Sequence, residues 1–245
     1  LNANEGKHIL HGGKIGFAAL PWKKINHSID KIIYQLHSRD NDQGFPGHLV
    51  VNCTYKIKGK FLIIKYEYKS NKSTHVNLTN HSYWNLEKNK NNMIYNHELK
   101  LNSNKYLLVN KNLIPTGKFK NVKNSIYNFL KFENIGDKLN YFKNKNLDIK
   151  FKGFDTTFVI KKNSRNLVAS LKSKMSNIQV DFFSNLPGIQ LYSAQNLNYK
   201  KKLFPYQGIC LETQYFPNSP NKKNFPSTLI RPNKSYSSTT KIRIN

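Results

Sequence analysis

Short runs of β-branched and aromatic residues, separated by Gly, Pro, Asn and Asp, dominate this sequence, and apolar repeats with helical spacing are nearly absent. Such runs are typical of strands, because branched and aromatic side chains pack well on a pleated sheet, whereas the separating residues favour turns. The sequence therefore predicts an all-β protein. So many short strands at close spacing favour antiparallel sheets packed face to face in a sandwich.

Apolar runs between turn residues define the predicted strands. Because all-β proteins of 245 residues often form one domain, we expect a single domain over residues 1–245. Gly59 predicts a hairpin between the second and third strands. Lys88–Asn92 and Lys138–Lys150 have few apolar residues and predict surface loops. The predicted strands are Ser28–Leu36, His48–Ile57, Phe61–Tyr68, Ser73–Leu78, His97–Leu101, Asp155–Ile160, Leu167–Ser173, Gln179–Ser184, Gly188–Ser193, Gly208–Glu212 and Tyr236–Ile244.

The net charge of +27 suggests an acidic partner, but the kind of charge argues against nucleic acid. Only four of the 40 basic residues are Arg, the side chain that nucleic-acid readers favour. The lysines are dispersed along the chain and interleaved with Asn, which is typical of a solvated surface. We therefore expect no nucleic-acid partner, and a dispersed-lysine surface that keeps the protein in solution.

Cys53 and Cys210 each lie within an apolar run, and two thiols are too few for a disulfide framework. We expect both to be reduced core residues, which fits a reducing compartment and a cytoplasmic location.

No apolar stretch reaches the roughly 20 residues that span a bilayer, so no membrane partner is expected. The His, Cys and acidic residues lack the ligand spacing of a zinc motif, so no metal is expected.

Polar chemistry is concentrated in three segments. His11 lies among glycines that permit a turn or the close approach of a ligand. His81 lies in a segment crowded with Asn, Thr and Tyr, which implies an internal hydrogen-bond network or a polar ligand, and histidine titrates near neutral pH. Glu212 directly follows Ile-Cys-Leu, so it is either half of a buried ion pair or a functional carboxylate.

Considered together, these segments resemble the aldose 1-epimerases, also called galactose mutarotases. The matching stretches occur in family order from Asn4 to the C-terminal region. They are Asn4-Glu5-Gly6 with His11-Gly12-Gly13, Asp42-Gln43-Gly44-Phe45-Pro46-Gly47, Leu78-Thr79-Asn80-His81-Ser82-Tyr83-Trp84-Asn85-Leu86, Ile114-Pro115-Thr116-Gly117, Gly153-Phe154-Asp155, Pro187-Gly188-Ile189-Gln190-Leu191-Tyr192, and Leu211-Glu212-Thr213-Gln214 with Phe216-Pro217-Asn218.

The resemblance implies a large antiparallel supersandwich that interconverts the α and β anomers of a free hexose such as glucose or galactose, without a cofactor. It implies that Glu212 is the catalytic base, His81 the general acid and His11 a second active-site histidine. Asp155, Gln190 and Asn80 are implied to bind the sugar. Whether the protein is a monomer or a homodimer is left open.

The chain also departs from the family's pattern. Family members begin with further strands and an Asn-Arg-Ile motif whose Arg contacts the sugar, and nothing before Leu1 supplies it, so we expect either an incomplete chain or a lost contact. Thr156 stands where the family often has His, and Asn218 where it has Asp. Two alternatives are open: an epimerase for hexose 6-phosphates, favoured by the lysine surplus, and a catalytically weak carbohydrate-binding relative.

Overall fold

Antiparallel β-sheet makes up nearly all the regular structure of a computed structural model, which describes residues 1–89, 92–143, 145, 148, 151–161, 166–198, 200 and 202–245. The predicted all-β class is confirmed.

The chain divides into two compact units, one formed by Leu1–Asn77 with Thr228–Lys241 and the other by Leu78–Ser227 with Ile242–Asn245. The single domain over residues 1–245 stays a prediction. Within the described ranges, no helix is both long enough and apolar enough to cross a membrane.

The first unit is built on a sheet of long strands. The strands of this unit are β1 Lys23–Ser28, β2 Lys31–Ser38, β3 Leu49–Lys58, β4 Phe61–Ser70, β5 Thr74–His75, β16 Leu229–Ile230 and most of β17 Tyr236–Ile244. Strands β1 to β4 follow one another in the sheet with β17 beside β4, and β5 pairs with β16. The hairpin at Gly59 is confirmed, because Lys58 pairs with Phe61 and Gly59 has a positive φ of 55°, which glycine adopts without strain.

The predicted strand Ser28–Leu36 is wrong in one respect, because a turn at Ile29 and Asp30 divides it. Ser28 pairs with Lys31 across this turn, and the Ser28 hydroxyl donates to the Asp30 carboxylate at 2.7 Å. A short polar side chain that bonds within its own turn competes with an extended strand. The predicted run therefore contributes only Ser28 to β1, and the part of it after the turn lies in β2.

Two sheets form a sandwich in the second unit. One carries β13, β12, β7 and β10 in that order, and the other carries β6, β15, β14, β11, β8 and β9. Trp84 and Phe182, from opposite sheets, meet edge to face with their ring centroids 5.5 Å apart. The bounds are β6 Tyr83–Trp84, β7 His97–Leu101, β8 Lys105–Val109, β9 Pro115–Asn121, β10 Glu133–Asn134, β11 Asp155–Val159, β12 Leu167–Ser173, β13 Gln179–Ser184, β14 Gly188–Tyr192 and β15 Ile209–Gln214.

Most of the predicted strands agree with the structure. Strands β7, β12, β13 and β17 have the predicted bounds, and β3, β4, β11, β14 and β15 differ from prediction by two residues or fewer at either end. The predicted strand Ser73–Leu78 shortens to Thr74–His75. Sequence reasoning missed all of β6, β8, β9, β10 and β16, and all of β1 except Ser28. Strands β6, β10 and β16 are only two residues long, and β1 and β9 are mostly exposed and contain Lys and Asn.

One predicted loop contains a helix, α1, spanning Ile135–Lys143. Asn134 caps it, since its side-chain oxygen accepts the Asp137 backbone N–H at 2.9 Å. Leu139 and Phe142 lie on one face of the helix and are buried, which the surrounding lysines and asparagines concealed. The loop prediction is therefore wrong for residues 138–143, and residues 144, 146, 147, 149 and 150 lie outside the described ranges. In the other predicted loop, Lys88, Asn89 and Asn92 are exposed, while residues 90 and 91 are not described.

Asp181 on β13 is a buried carboxylate with a complete set of partners in the second unit. It accepts hydrogen bonds from the side chains of Ser170, Gln179, Arg243 and Asn245 at 2.6–2.9 Å. Burial alone would raise the pKa of Asp181, but these hydrogen bonds and the charge of Arg243 outweigh burial and lower it. Asp181 therefore stabilises the fold as a carboxylate.

We predict that Asp181→Ala lowers the free energy of unfolding by about 3 kcal/mol at neutral pH, because it removes the charge partner of Arg243 and leaves the buried Ser170 hydroxyl without its acceptor. The lowered pKa makes this stabilisation present above the ordinary value of 3.8 and lost as the pH falls through the folded-state pKa. Urea unfolding at pH 7 and in acid measures both effects. The exposed Asp30→Ala is the matched control, and equal losses in the two variants would contradict the prediction.

Candidate active site

Strand pairing in the second unit brings distant polar residues onto one face of a sheet. Gln190 on β14 pairs directly with Glu212 on β15, and Tyr192 pairs with Cys210. Directly paired residues of antiparallel strands share a face, and so do residues two apart along a strand. The same rule adds residues from β6 and β11. This polar face consists of Tyr83, Asp155, Thr157, Gln190, Tyr192, Cys210 and Glu212.

Glu212 lies within β15, a strand whose six residues are all buried. Leu211 faces the opposite side of this strand, where the sheet is apolar. The Glu212 side chain is only 7% exposed. Burial and the neighbouring Asp155 carboxylate raise its pKa from the ordinary 4.5 to about 8, since both disfavour the charged form. A carboxyl group with this pKa can accept and return a proton near neutral pH.

His81 faces Glu212 from the segment that leads into β6. Its Nε2 lies 3.6 Å from Glu212 Oε1, and its side chain is 33% exposed. The segment is anchored on both sides of the histidine. The Thr79 hydroxyl donates to the Thr213 carbonyl at 3.0 Å, and the Asn85 side chain donates to the Gln207 carbonyl at 3.0 Å. The imidazole is therefore held beside the carboxyl group and is still accessible.

Cys210 and two tyrosines surround the imidazole of His81. Cys210 Sγ lies 3.4 Å from Nδ1, the ring nitrogen on the side away from the Glu212 contact. Tyr83 stacks on the imidazole with ring centroids 5.1 Å apart, and Tyr192 meets it edge to face at 6.3 Å. Burial raises the pKa of Cys210 and of both tyrosine hydroxyls, and nearby carboxylates add to the effect. The three groups are therefore neutral near pH 7, with Cys210 in hydrogen-bond contact with His81 and the two tyrosines in ring contact with it.

Asp155 and Gln190 are joined on the polar face. Gln190 Nε2 donates to Asp155 Oδ1 at 2.6 Å, and Gln190 Oε1 accepts a hydrogen bond from the Thr157 hydroxyl. These two hydrogen bonds fix the orientation of the Gln190 amide, because its NH₂ group points to the Asp155 carboxylate and its oxygen to the Thr157 hydroxyl. The Asp155 carboxylate and the Gln190 amide therefore lie beside Glu212. Groups of these kinds can form hydrogen bonds with the hydroxyls of a sugar.

Five of the six predicted site residues lie in the second unit, and four of them are close to one another: His81, Glu212, Asp155 and Gln190. Asn80 directly precedes His81 and accepts a hydrogen bond from Ser82 at 2.6 Å. His11 lies in an exposed turn of the first unit with a φ of 52°, so its role stays a prediction from the resemblance.

Besides Tyr83 on β6, sequence reasoning missed Cys210, Tyr192 and Thr157 as members of the polar face. Cys53 and Cys210 are both free and buried, as predicted, but Cys210 also contacts the predicted acid. Counting by two along each strand would have found these residues. Cys210 lies two positions before Glu212, Tyr192 two positions after Gln190, and Thr157 two positions after Asp155.

The sequence model of the family described as aldose 1-epimerase matches residues 1–243. The chain belongs to the aldose 1-epimerase family. Galactose mutarotase from Sus scrofa is 32% identical to it, covering 98% of this chain and 70% of the relative. Aldose 1-epimerase from Escherichia coli (strain K12) is 31% identical, covering 99% of this chain and 72% of the relative.

Solved structures of other aldose 1-epimerase relatives show the same fold. The aldose epimerase homologue from C. elegans superposes with a TM-score of 0.89 at 24% identity, covering 99% of this chain and 74% of that one. Galactose 1-epimerase from Lactobacillus acidophilus gives a TM-score of 0.85 at 24% identity, with 99% and 71% covered. These similarities confirm the predicted galactose mutarotase-like sandwich.

We predict that burial of Glu212 makes this epimerase less stable as the pH rises. The folded-state pKa of about 8 lies above the ordinary 4.5, so the folded chain binds more protons than the unfolded chain between these values. Stability is therefore lost as the pH rises through that window. Glu212→Gln removes this loss, so its unfolding free energy relative to wild type should increase from pH 5 to pH 8.

Urea unfolding at both pH values measures the effect. Glu67→Gln is the matched control, because Glu67 is an exposed glutamate that pairs with Lys65 on the surface of the first unit. A constant difference between Glu212→Gln and wild type across the two pH values would contradict the prediction.

Proposed function

We propose that this chain catalyses mutarotation, the interconversion of the α and β anomers of a free hexose such as glucose or galactose. The observation that carries the proposal is the pairing of a buried carboxyl group with a partly exposed imidazole, Glu212 and His81, on the polar face. The names of its relatives, galactose mutarotase and aldose 1-epimerase, support the same reaction. The chain acts as an isomerase on this proposal.

Glu212 serves as the general base. It takes the proton from the C1 hydroxyl, while the bond between C1 and the ring oxygen breaks and C1 becomes an aldehyde carbon. The raised pKa, about 8, makes Glu212 a stronger base than an exposed carboxylate. The same property lets it return the proton when the ring closes. Proton transfer of this kind typically contributes about 10²–10⁴-fold to the rate.

His81 serves as the general acid. It donates a proton to the ring oxygen as the bond to C1 breaks, and takes it back during closure. Both substrate oxygens are bonded to C1, so an acid and a base 3.6 Å apart can serve them together. Rotation about the C1–C2 bond between opening and closure exposes the other face of the aldehyde and gives the opposite anomer.

The remaining members of the polar face bind and orient the sugar. Asp155 and Gln190 offer acceptors and a donor to the ring hydroxyls, and their mutual hydrogen bond limits the orientations each can adopt. Asn80, next to the general acid, is a third polar contact. Tyr83 is about half exposed and presents an aromatic surface beside His81, suited to the C–H face of a pyranose.

We expect Glu212→Gln and His81→Asn each to lower kcat for mutarotation by about 10²–10⁴-fold, because each removes one of two proton-transfer groups while keeping the side chain close in size. Polarimetry of freshly dissolved α-glucose and α-galactose measures the rate. Glu67→Gln and His27→Asn alter exposed residues of the first unit and serve as matched controls. A near-normal rate in either test variant would contradict the assignment of Glu212 as the base and His81 as the acid.

We expect Asp155→Asn to shift the pH dependence of kcat/KM. The base must be ionised, so the rate rises with pH through the pKa of the group in the free enzyme. Removing the Asp155 charge lowers the pKa of Glu212, which moves the rising limb to lower pH. Thr157→Val alters the same polar face without removing a charge and is the control. An unmoved limb in Asp155→Asn, with rates reduced at every pH, would contradict this coupling.

A comparison of substrates in the same polarimetric assay determines the sugar class. The lysine surplus favoured a hexose 6-phosphate as an alternative, whereas the acceptors on the polar face favour neutral hydroxyls. Faster turnover of glucose or galactose than of glucose 6-phosphate is the expected result.

A further inference from the structure

Three metal-ligating side chains converge on the polar face: His81, Cys210 and Glu212. One ligand atom of each lies within 4.8 Å of the other two. The His81 Nδ1 to Cys210 Sγ distance is 3.4 Å and the His81 Nε2 to Glu212 Oε1 distance is 3.6 Å. Nitrogen and sulfur ligands of one tetrahedral zinc ion are separated by roughly 3.5 Å. The two short contacts use opposite nitrogens of the His81 ring, and a cation binds only one of them. Side-chain rotation over a separation of at most 4.8 Å would therefore bring the third ligand to a shared cation.

We propose that His81, Cys210 and Glu212 bind a thiophilic divalent cation, Zn²⁺ or Cd²⁺, that inhibits the enzyme by occupying its acid and its base. The inhibitory part rests on the proposed function, since it assumes that Glu212 and His81 carry out the proton transfers. The cation competes with the sugar for the same two side chains.

The donor set selects the kind of cation. A thiolate, an imidazole and a carboxylate form a mixed S, N, O site, which suits zinc and cadmium, whereas magnesium and calcium prefer sites made only of oxygen. Three protein ligands leave a fourth tetrahedral position for water. Binding replaces the thiol proton of Cys210, which leaves to solvent, and involves no change of oxidation state.

Local charge favours a cation here even though the whole chain carries +27. Glu212 and Asp155 bring two carboxyl groups to the polar face. A bound divalent cation favours the deprotonated forms of both Glu212 and Cys210.

Backbone pairing holds two of the ligands in place. Cys210 and Glu212 lie on one face of β15, which is bordered by β14 and β6, so their spacing is set by the strand. His81 is one-third exposed and lies at the accessible side of the site. A cation can therefore reach the site past His81 without unfolding the sheet.

Calorimetric titration of the wild-type protein with zinc chloride tests the site directly. We expect one zinc ion whose affinity falls at least tenfold in Cys210→Ala, and a thiolate-to-cobalt charge-transfer band when cobalt replaces zinc. Zinc should also inhibit mutarotation in wild type, with recovery after chelation, whereas magnesium should not. Cys210→Ser provides a second variant of nearly the same volume if the alanine variant fails to fold.

Two matched controls separate this site from other thiols and histidines. Cys53→Ala removes the other buried cysteine, and His37→Asn removes one of two exposed histidines that stack in the first unit. Both variants should bind one zinc ion at His81, Cys210 and Glu212 with the same affinity as wild type. Equal zinc affinity in wild type and Cys210→Ala, or no zinc binding, overturns the inference whether or not the enzyme is active. Cys210-dependent zinc binding without mutarotation supports the cation site and instead overturns the proposed function.

Discussion

Burial of one carboxyl group within a fully buried strand is the constraint on which the site depends. Glu212 lies where water cannot solvate its charge, and Asp155 adds repulsion, so its pKa rises to about 8. Ionisation of a carboxyl group in this position lowers the free energy of unfolding. Other favourable interactions in the fold must offset that loss. Backbone pairing of β15 with β14 and β6, and the apolar packing on the other side of the sheet, provide it.

Asp181 shows how the same chain treats a carboxylate that has only a structural role. Asp181 is as deeply buried as Glu212, but it is surrounded by side-chain donors and lies beside an arginine, so its pKa falls. Glu212 instead faces an imidazole and another acid. Opposite pKa shifts in two buried carboxyl groups of one unit distinguish the group that holds the fold together from the group suited to proton transfer.

Much of the sheet and the acid–base pair could be predicted from sequence, for identifiable physical reasons. Strand β7 alternates buried and more exposed residues, and β12 begins with an apolar run directly after Asn166, so the bounds of both follow from the pattern. His81 and Glu212 were found through motifs that occur in family order. The contact between Cys210 and His81 could not be found in this way, because the two residues are 129 positions apart and meet only through the pairing of β6 with β15. Helix α1 was missed because its three large buried apolar residues, Ile135, Leu139 and Phe142, are a weak signal among lysines and asparagines.

The partners of Asp181 also determine when the second unit can finish folding. Arg243 and Asn245 lie 62 and 64 positions after Asp181, and the Asn245 backbone exchanges hydrogen bonds with Gln179. On the ribosome, β13 emerges long before these residues, so its carboxylate lacks them until synthesis passes residue 245. Contacts of such long range also slow folding by raising the entropy cost of loop closure. The second unit therefore completes the partners of Asp181 only when its last residues, Ile242–Asn245, have been translated.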